Sequence, residues 1–202
     1  MNSVTAETMP LFPLGRPLYP GIYMNLRIFE QRYLKLVRDS MATGQPFGIV
    51  PITAGGEVGK TPSFFNWGTL VNITDFDQQP DGLLGITISG NQRFSVFSHK
   101  VQDDGLIVAE IGRAAAESND PCSEVESDLN HLLQELVEGL GAAGMFADNH
   151  PDLAQLSWRL ATLLPLPAQV KVSLLKESDP EIRLDIIREC LTELAAREGP
   201  VN

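Results

Sequence analysis

LIVAEIGRAAAESNDPCSEVESDLNHLLQELVEGL, residues 106–140, contains the change of period that decides the fold. Leu106 to Ile111 is a short apolar run rich in β-branched residues, the pattern of a strand. Beyond Ser118 the spacing changes. Asp120-Pro121 reads as a helix cap and first-turn pair, and Val125, Leu129, Leu132, Leu133, Leu136 and Leu140 then recur on one stripe that stops at Gly141. A single switch from strand-like runs to a 3.6-residue period predicts an α+β architecture with the strands gathered before the helices.

Toward the N-terminus the runs are short, β-branched and bounded by turn residues: Leu11 to Leu14, Ile22 to Ile28, Phe47 to Ile52, Trp67 to Ile73 and Leu83 to Phe97. In the last of these Ile86 and Ile88 alternate with Thr87 and Ser89 before meeting Gly90-Asn91, which predicts a half-buried strand with a bulge or turn. Pro80-Asp81-Gly82 predicts a hairpin connection. One helix near 30–42 interrupts the strands, with Tyr33, Leu34, Val37 and Met41 on its buried face. Toward the C-terminus, Leu153, Leu156, Leu160, Leu163 and Leu164 make a second stripe, and Val170 to Lys176 a short helix. Ser178-Asp179-Pro180-Glu181 opens a last helix, with Ser178 and Glu181 at capping-box spacing and Ile182, Ile186, Ile187, Leu191 and Leu194 as its core face. The organisation predicted is a strand-rich subdomain over 1–118 and a helical bundle over 119–202.

Composition agrees with a folded chain and excludes several classes. At 202 residues, 43% hydrophobic and 20% charged, it has the length and composition for a core without disulfide or metal staples. Cys122 and Cys190, far apart and without CxxC spacing, read as reduced thiols. Met1 to Met9 has neither a basic segment nor a continuous apolar one, so it reads as a short frayed tail and not as a secretory signal. Pro165 and Pro167 cut short the longest apolar stretch, so no membrane span and a cytoplasmic location are expected. The net charge of −11 opposes a nucleic-acid backbone. Its distribution is uneven: residues 1–118 hold nine bases and eleven acids, and residues 119–202 six bases and fifteen acids.

Chemistry-bearing patterns are few. Ala54-Gly55-Gly56-Glu57-Val58-Gly59-Lys60-Thr61 matches a relaxed P-loop, but a P-loop needs a helix to begin at its Gly-Lys-Thr, and here Pro62 follows and leads toward a strand. The segment reads as a Gly-rich loop between strands. His99, His131 and His150 are scattered, there is no HExxH or GxSxG, and Lys171 and Ser173 fall on different helix faces. No catalytic residue, metal site or cofactor is expected. Glu30, in Arg27-Ile-Phe-Glu30-Gln-Arg32-Tyr33, reads as a structural carboxylate that pairs with an arginine at a helix start.

Pro10-Leu-Phe-Pro-Leu14, Leu18-Tyr-Pro-Gly21 and Leu26-Arg-Ile-Phe-Glu-Gln-Arg-Tyr33 closely resemble the opening of the Lon protease N-terminal, substrate-binding domain. Gly68-Thr69, Gly90-Asn-Gln-Arg-Phe94, Trp158-Arg-Leu-Ala161, Leu163-Leu-Pro-Leu166 and Arg183-Leu184 follow in the family's order, so the resemblance spans nearly the whole chain. It implies a PUA-like β pseudo-barrel followed by a helical bundle. The recurring residues have physical reasons as fold determinants. Pro20-Gly21 suits the two central positions of a type II turn. Phe29 and Tyr33, four apart, are expected to plug the barrel from one helix face, and Arg93-Phe94 sets a ring after the Gly90 bend. The family's full-length members add an AAA+ ATPase and a Ser-Lys protease, so a chain of this length is expected to be a stand-alone form without either, and peptide hydrolysis is not carried over to it.

The resemblance implies a non-catalytic module that binds protein or unfolded polypeptide, linked to proteolysis or protein quality control. The residues offer Phe64, Phe65 and Trp67 as a candidate contact, three large rings within four positions. Two other readings stay open: an RNA-binding PUA-like barrel, which requires a basic groove, and an adaptor or self-association domain, homodimeric or otherwise, with an acidic helical face at Glu124, Glu126 and Asp128.

Overall fold

A computed structural model describes residues 6–117, 120–147 and 150–198. Its first part holds β1 (Glu7–Leu14), β2 (Tyr23–Ile28), α1 (Gln31–Thr43), β3 (Phe47–Ala54), β4 (Ser63–Phe64), β5 (Trp67–Gln78), β6 (Leu84–Val101) and β7 (Ile107–Arg113). The pairings of five strands close on themselves. β1 lies parallel to β3 and antiparallel to β7, β7 pairs with β6, β6 with β5, and β5 returns to β3. Such a ring leaves no sheet edge over its paired lengths. β2 and β4 are added outside it, on β6 and β3 respectively. The ring followed by helices is the expected α+β fold, a β pseudo-barrel and then a helical part.

Met9, Leu11, Val50, Leu70, Phe94, Ile107, Ala109 and Ile111 fill the ring. The Pro20-Gly21 turn forms as expected: Gly21 has φ of +75°, and the Ile22 N–H donates to the Tyr19 carbonyl at 3.3 Å. The turn is fastened to β6, with the Gly21 N–H donating to the Gly90 carbonyl and the Gly90 N–H to the Ile22 carbonyl, both at 2.9 Å. A Cβ on Gly90 would overlap the Tyr19 carbonyl oxygen, so the two glycine-bearing motifs are two halves of one contact. Arg93 and Phe94, the next residues along β6, are both buried.

Three expectations need correction in this part. β1 already begins at Glu7, where a tail through Met9 was expected, because the Glu7 carboxylate is held by a two-bond Arg113 fork across the β1–β7 pair; Met1 to Thr5 lie outside the described residues. β5 and β6 run past their apolar stretches to Gln78 and Val101, since ladder hydrogen bonds through a hairpin do not require apolar side chains. Phe29 does not plug the barrel. The helix starts at Gln31, Phe29 lies between β2 and that start, and the residue is 48% exposed. Tyr33 alone turns inward, stacked on Phe12 with centroids 4.0 Å apart.

The chain divides into two compact units between Ala116 and Glu117, and the expected boundary at 118/119 falls on residues outside the described ones. The second unit contains a 3-10 turn (Glu124–Glu126) leading into α2 (Ser127–Leu140), then α3 (Leu153–Leu163), α4 (Ala168–Lys176) and α5 (Pro180–Glu198). Two of its starts are capped by other residues than the sequence suggests. Ser123, with Glu126, forms the box that opens the first helical stretch instead of Asp120, and the Asp179 carboxylate, not the Ser178 hydroxyl, accepts the Glu181 N–H at 2.9 Å. Val125, Leu140 and Ile182, expected in the core, are exposed, whereas Leu129, Leu133, Arg183, Leu184 and Ile187 are buried. Arg183 is fully enclosed. Its guanidinium lies 3.7 Å from the centroid of the Trp158 ring and donates to the Ser157 hydroxyl, the Glu177 carbonyl and the Glu117 carboxylate.

Candidate polypeptide-binding groove

β2 is attached to the ring along one side only, and a cavity of about 340 Å³ lies beside it. A strand shows alternate side chains to each face, yet the six consecutive residues Asn25 to Glu30 all border this cavity, which therefore follows the strand's edge and its exit toward α1. Phe12, Leu14 and Tyr33 supply further apolar wall. Glu57 and Val58, the latter 59% exposed, add lining from the segment after β3. Two large apolar side chains, Phe29 and Val58, thus line one cleft and are both exposed to solvent.

The wall carrying Val58 is the segment that imitates a P-loop. It connects β3 to β4, contains Gly55 and Gly59 at positive φ, and has no helix at its Gly-Lys-Thr, as the sequence reading requires. Two contacts fix it. The Glu57 carboxylate accepts the Gly15 N–H at 2.6 Å, and Arg32 donates to the Gly59 carbonyl at 3.0 Å. Arg32 is buried behind the groove, where it also donates to the Gly105 carbonyl, pairs with Glu30 at 2.9 Å and lies 4.7 Å from the centroid of the Tyr33 ring. Glu30 has the extended backbone of a cap residue, but its carboxylate serves the arginine and makes no capping bond. Burial pushes the Tyr33 hydroxyl above its ordinary pKa.

The structure therefore gathers Arg27, Phe29, Glu30 and Tyr33 around one cleft, braces it with Arg32, buries Arg93 and Phe94 in the ring, and leaves Pro20 and Gly21 in the turn fastened to β6. Phe64, Phe65 and Trp67 are not among the groove's lining residues. All three are half-buried; Phe64 packs on the ring's core and against His99, with centroids 4.9 Å apart. Sequence reasoning missed Phe29 as a surface ring and Val58 altogether. The available signals were an aromatic residue immediately before a helix cap and a lone apolar residue in a glycine-rich loop.

The alternative surfaces are more fully engaged within the protein. Of the bases in residues 1–118, Arg27, Arg32, Lys35, Arg38 and Arg113 form ion pairs with Asp81, Glu30, Asp104, Asp39 and Glu7. On the acidic helical face, Glu126 is held by Ser123 and Asp128 lies 3.6 Å from Arg188, while Glu124 is exposed. Among the described residues no group of three or more His, Cys, Asp or Glu could hold a metal ion, and no helix is long and apolar enough to cross a membrane.

A family model described as the ATP-dependent protease La (LON) substrate-binding domain matches residues 8–193. The chain belongs to this LON substrate-binding domain family. A crystal structure of a Lon N-terminal domain protein from Xanthomonas campestris is 37% identical, covers 89% of this chain and 95% of its own, and superposes with a TM-score of 0.72. The N-terminal domain of a Mycobacterium avium complex Lon protease, 12% identical, shares the fold over 91% of this chain and 97% of its own at a TM-score of 0.64. Lon proteases of Flavobacterium johnsoniae and Endomicrobium trichonymphae are each 25% identical, over 68% and 92% of this chain. The chain spans 16% and 24% of their lengths. In this LON substrate-binding domain the motif Leu26 to Tyr33 thus serves two ends at once, an edge strand with an exposed ring and the buried arginine that braces the loop facing it.

Proposed function

We propose that the β unit binds polypeptide non-catalytically in the groove beside β2, as a recognition module of the proteolysis or quality-control machinery. Supporting this is one observation above the rest: in a LON substrate-binding domain, Phe29 and Val58 leave apolar surface in water along one cleft sized for side chains. An unfolded chain offers the complementary surface, because its apolar side chains are not yet packed. Nothing in the groove is arranged as nucleophile, base and oxyanion donor, so binding without bond cleavage is the activity we assign.

The test is binding to a reduced and alkylated, permanently unfolded protein, followed by fluorescence anisotropy. Replacing Phe29 and Val58 together by Ser is expected to weaken binding about tenfold or more, on the order of the loss of two buried apolar side chains. Phe65→Ser provides the comparison for the second ring cluster. Undiminished binding by a folded Phe29/Val58 variant, with loss in Phe65→Ser, would move the site to Phe64, Phe65 and Trp67.

A further inference from the structure

We infer that the groove captures its ligand by strand addition: an extended, apolar segment flanked by lysine or arginine pairs antiparallel or parallel with the free edge of β2. This deepens the polypeptide-binding reading and rests on it. The ring consumes the edges of its five strands over their paired lengths, so among the described residues the stretches where a chain could add include the appended β2, the two-residue β4, the distal half of β5 and the end of β6 that pairs with β7 alone. β2 is the best template of these. Its six residues pair with β6 in unbroken register, whereas the β5–β6 ladder shifts register between Ile73 and Asp75 and the β6–β7 ladder between Val96 and Ser98. Irregular edges discourage addition and regular ones permit it.

Ladder alternation tells which groups are offered. The Ile22 carbonyl accepts from Gly90 on β6, so the even-numbered residues of β2 turn their backbone groups to β6, while Tyr23, Asn25 and Arg27 turn theirs outward. Six consecutive groove-lining residues are what an edge, and not a face, provides. The added strand would lay alternate apolar side chains against Phe29 and Val58, which main-chain pairing alone does not require.

The charge around the edge selects the flanks of the segment. Two cavities border β2, and between them their linings hold Glu30, Glu57, Asp75 and Asp77 against Arg27. Arg27 is already paired with Asp81, and Glu30 with Arg32. Cationic ends on the ligand complement the remaining carboxylates, and acidic ends meet like charge.

The experiment uses the whole chain and synthetic ten-residue peptides of alternating valine and threonine with two lysines at each end. N-methylation at alternate residues removes the donors of one edge of the peptide and leaves those of the other. One methylation parity is expected to reduce affinity tenfold or more while the opposite parity leaves it within about twofold, and glutamate ends in place of lysine should weaken binding at least fivefold. Asn25→Pro, which removes one outward donor at a position where an edge strand tolerates proline, should weaken the unmethylated peptide without loss of fold. Equal binding by both parities, with Phe29 and Val58 still required, overturns strand addition and leaves polypeptide binding standing. Glutamate-ended peptides that bind as well as lysine-ended ones overturn the charge selection. Failure of both the peptide and the unfolded protein to bind overturns the broader reading with it.

Discussion

Arg32, Arg93, Arg159 and Arg183 are buried, and each argues that charge in this sequence is not a reliable mark of the surface. Arg183 shows why a periodic reading rotates a helix wrongly. Counting apolar positions on α5 centres the buried face near Ile182 and Ile186, but the true face contains Arg183, Leu184 and Ile187, because the centre is held by a cation whose donors all find acceptors. A pattern scored on hydrophobicity cannot place its midpoint on arginine. Removing that guanidinium would take from the Glu117 carboxylate the cation it pairs with, leaving the Trp158 N–H as a donor to it, would take from the Ser157 hydroxyl the donor it accepts from, and would open a void beside Trp158. Arg183→Ala is therefore expected to destabilise the helical unit by about 3–5 kcal/mol, the range for breaking one side of a buried ion pair. Urea unfolding followed by Trp158 fluorescence in a Trp67→Phe background measures it, and a loss below about 1 kcal/mol would show that the network contributes little. Arg32 illustrates the same point in the β unit, buried three positions after the exposed Phe29.

At the scale of elements, existence was easier to read than ends. The five helices and the main strands follow from spacing and β-branching, while their limits depend on which side chain reaches a particular backbone group. Ser123 and Asp179 displaced the caps expected at Asp120 and Ser178 for that reason, since capping is a matter of one local geometry and several residues nearby have the needed oxygen. The β1–β7 pair presents a similar case. Nothing in the sequence links Glu7 to Arg113, yet Arg113 donates to both carboxylate oxygens, at 2.7 and 2.9 Å, and so fastens the first described strand to the last. Hydrogen bonds from Arg113 hold the Glu7 carboxyl below its ordinary value of 4.5. A carboxyl lowered in the folded state stabilises that state above its unfolded pKa and loses the contribution as pH falls through the folded one. The wild-type chain is thus expected to lose stability below about pH 4.5 more steeply than Glu7→Gln, the two converging at lower pH. Thermal melts between pH 3 and pH 7 decide it, and parallel pH profiles would exclude the fork as a contributor.

For the molecule as a whole, the uneven charge separates two ways of holding a partner. The helical half carries fifteen acids against six bases, and the strand-rich half eleven against nine. If long-range attraction to the acidic half drew in basic partners, binding would collapse with salt whatever the partner's sequence, because exposed charges are screened beyond about 8 Å at physiological ionic strength. The groove makes a different demand. On the proposed binding mode, apolar contacts at Phe29 and Val58 would be indifferent to salt, and only the flanks of the ligand would meet carboxylates. Raising sodium chloride from 0.05 to 0.5 M should therefore weaken a lysine-flanked apolar peptide about three- to tenfold and leave an uncharged peptide of the same core within about twofold. Charge reversal at Glu124, which is exposed on the helical unit and does not line the groove, should change neither value. The opposite result, in which the uncharged peptide fails to bind and Glu124→Lys abolishes capture of the charged one, would assign recognition to the acidic helices and reduce the groove beside β2 to a feature of the fold.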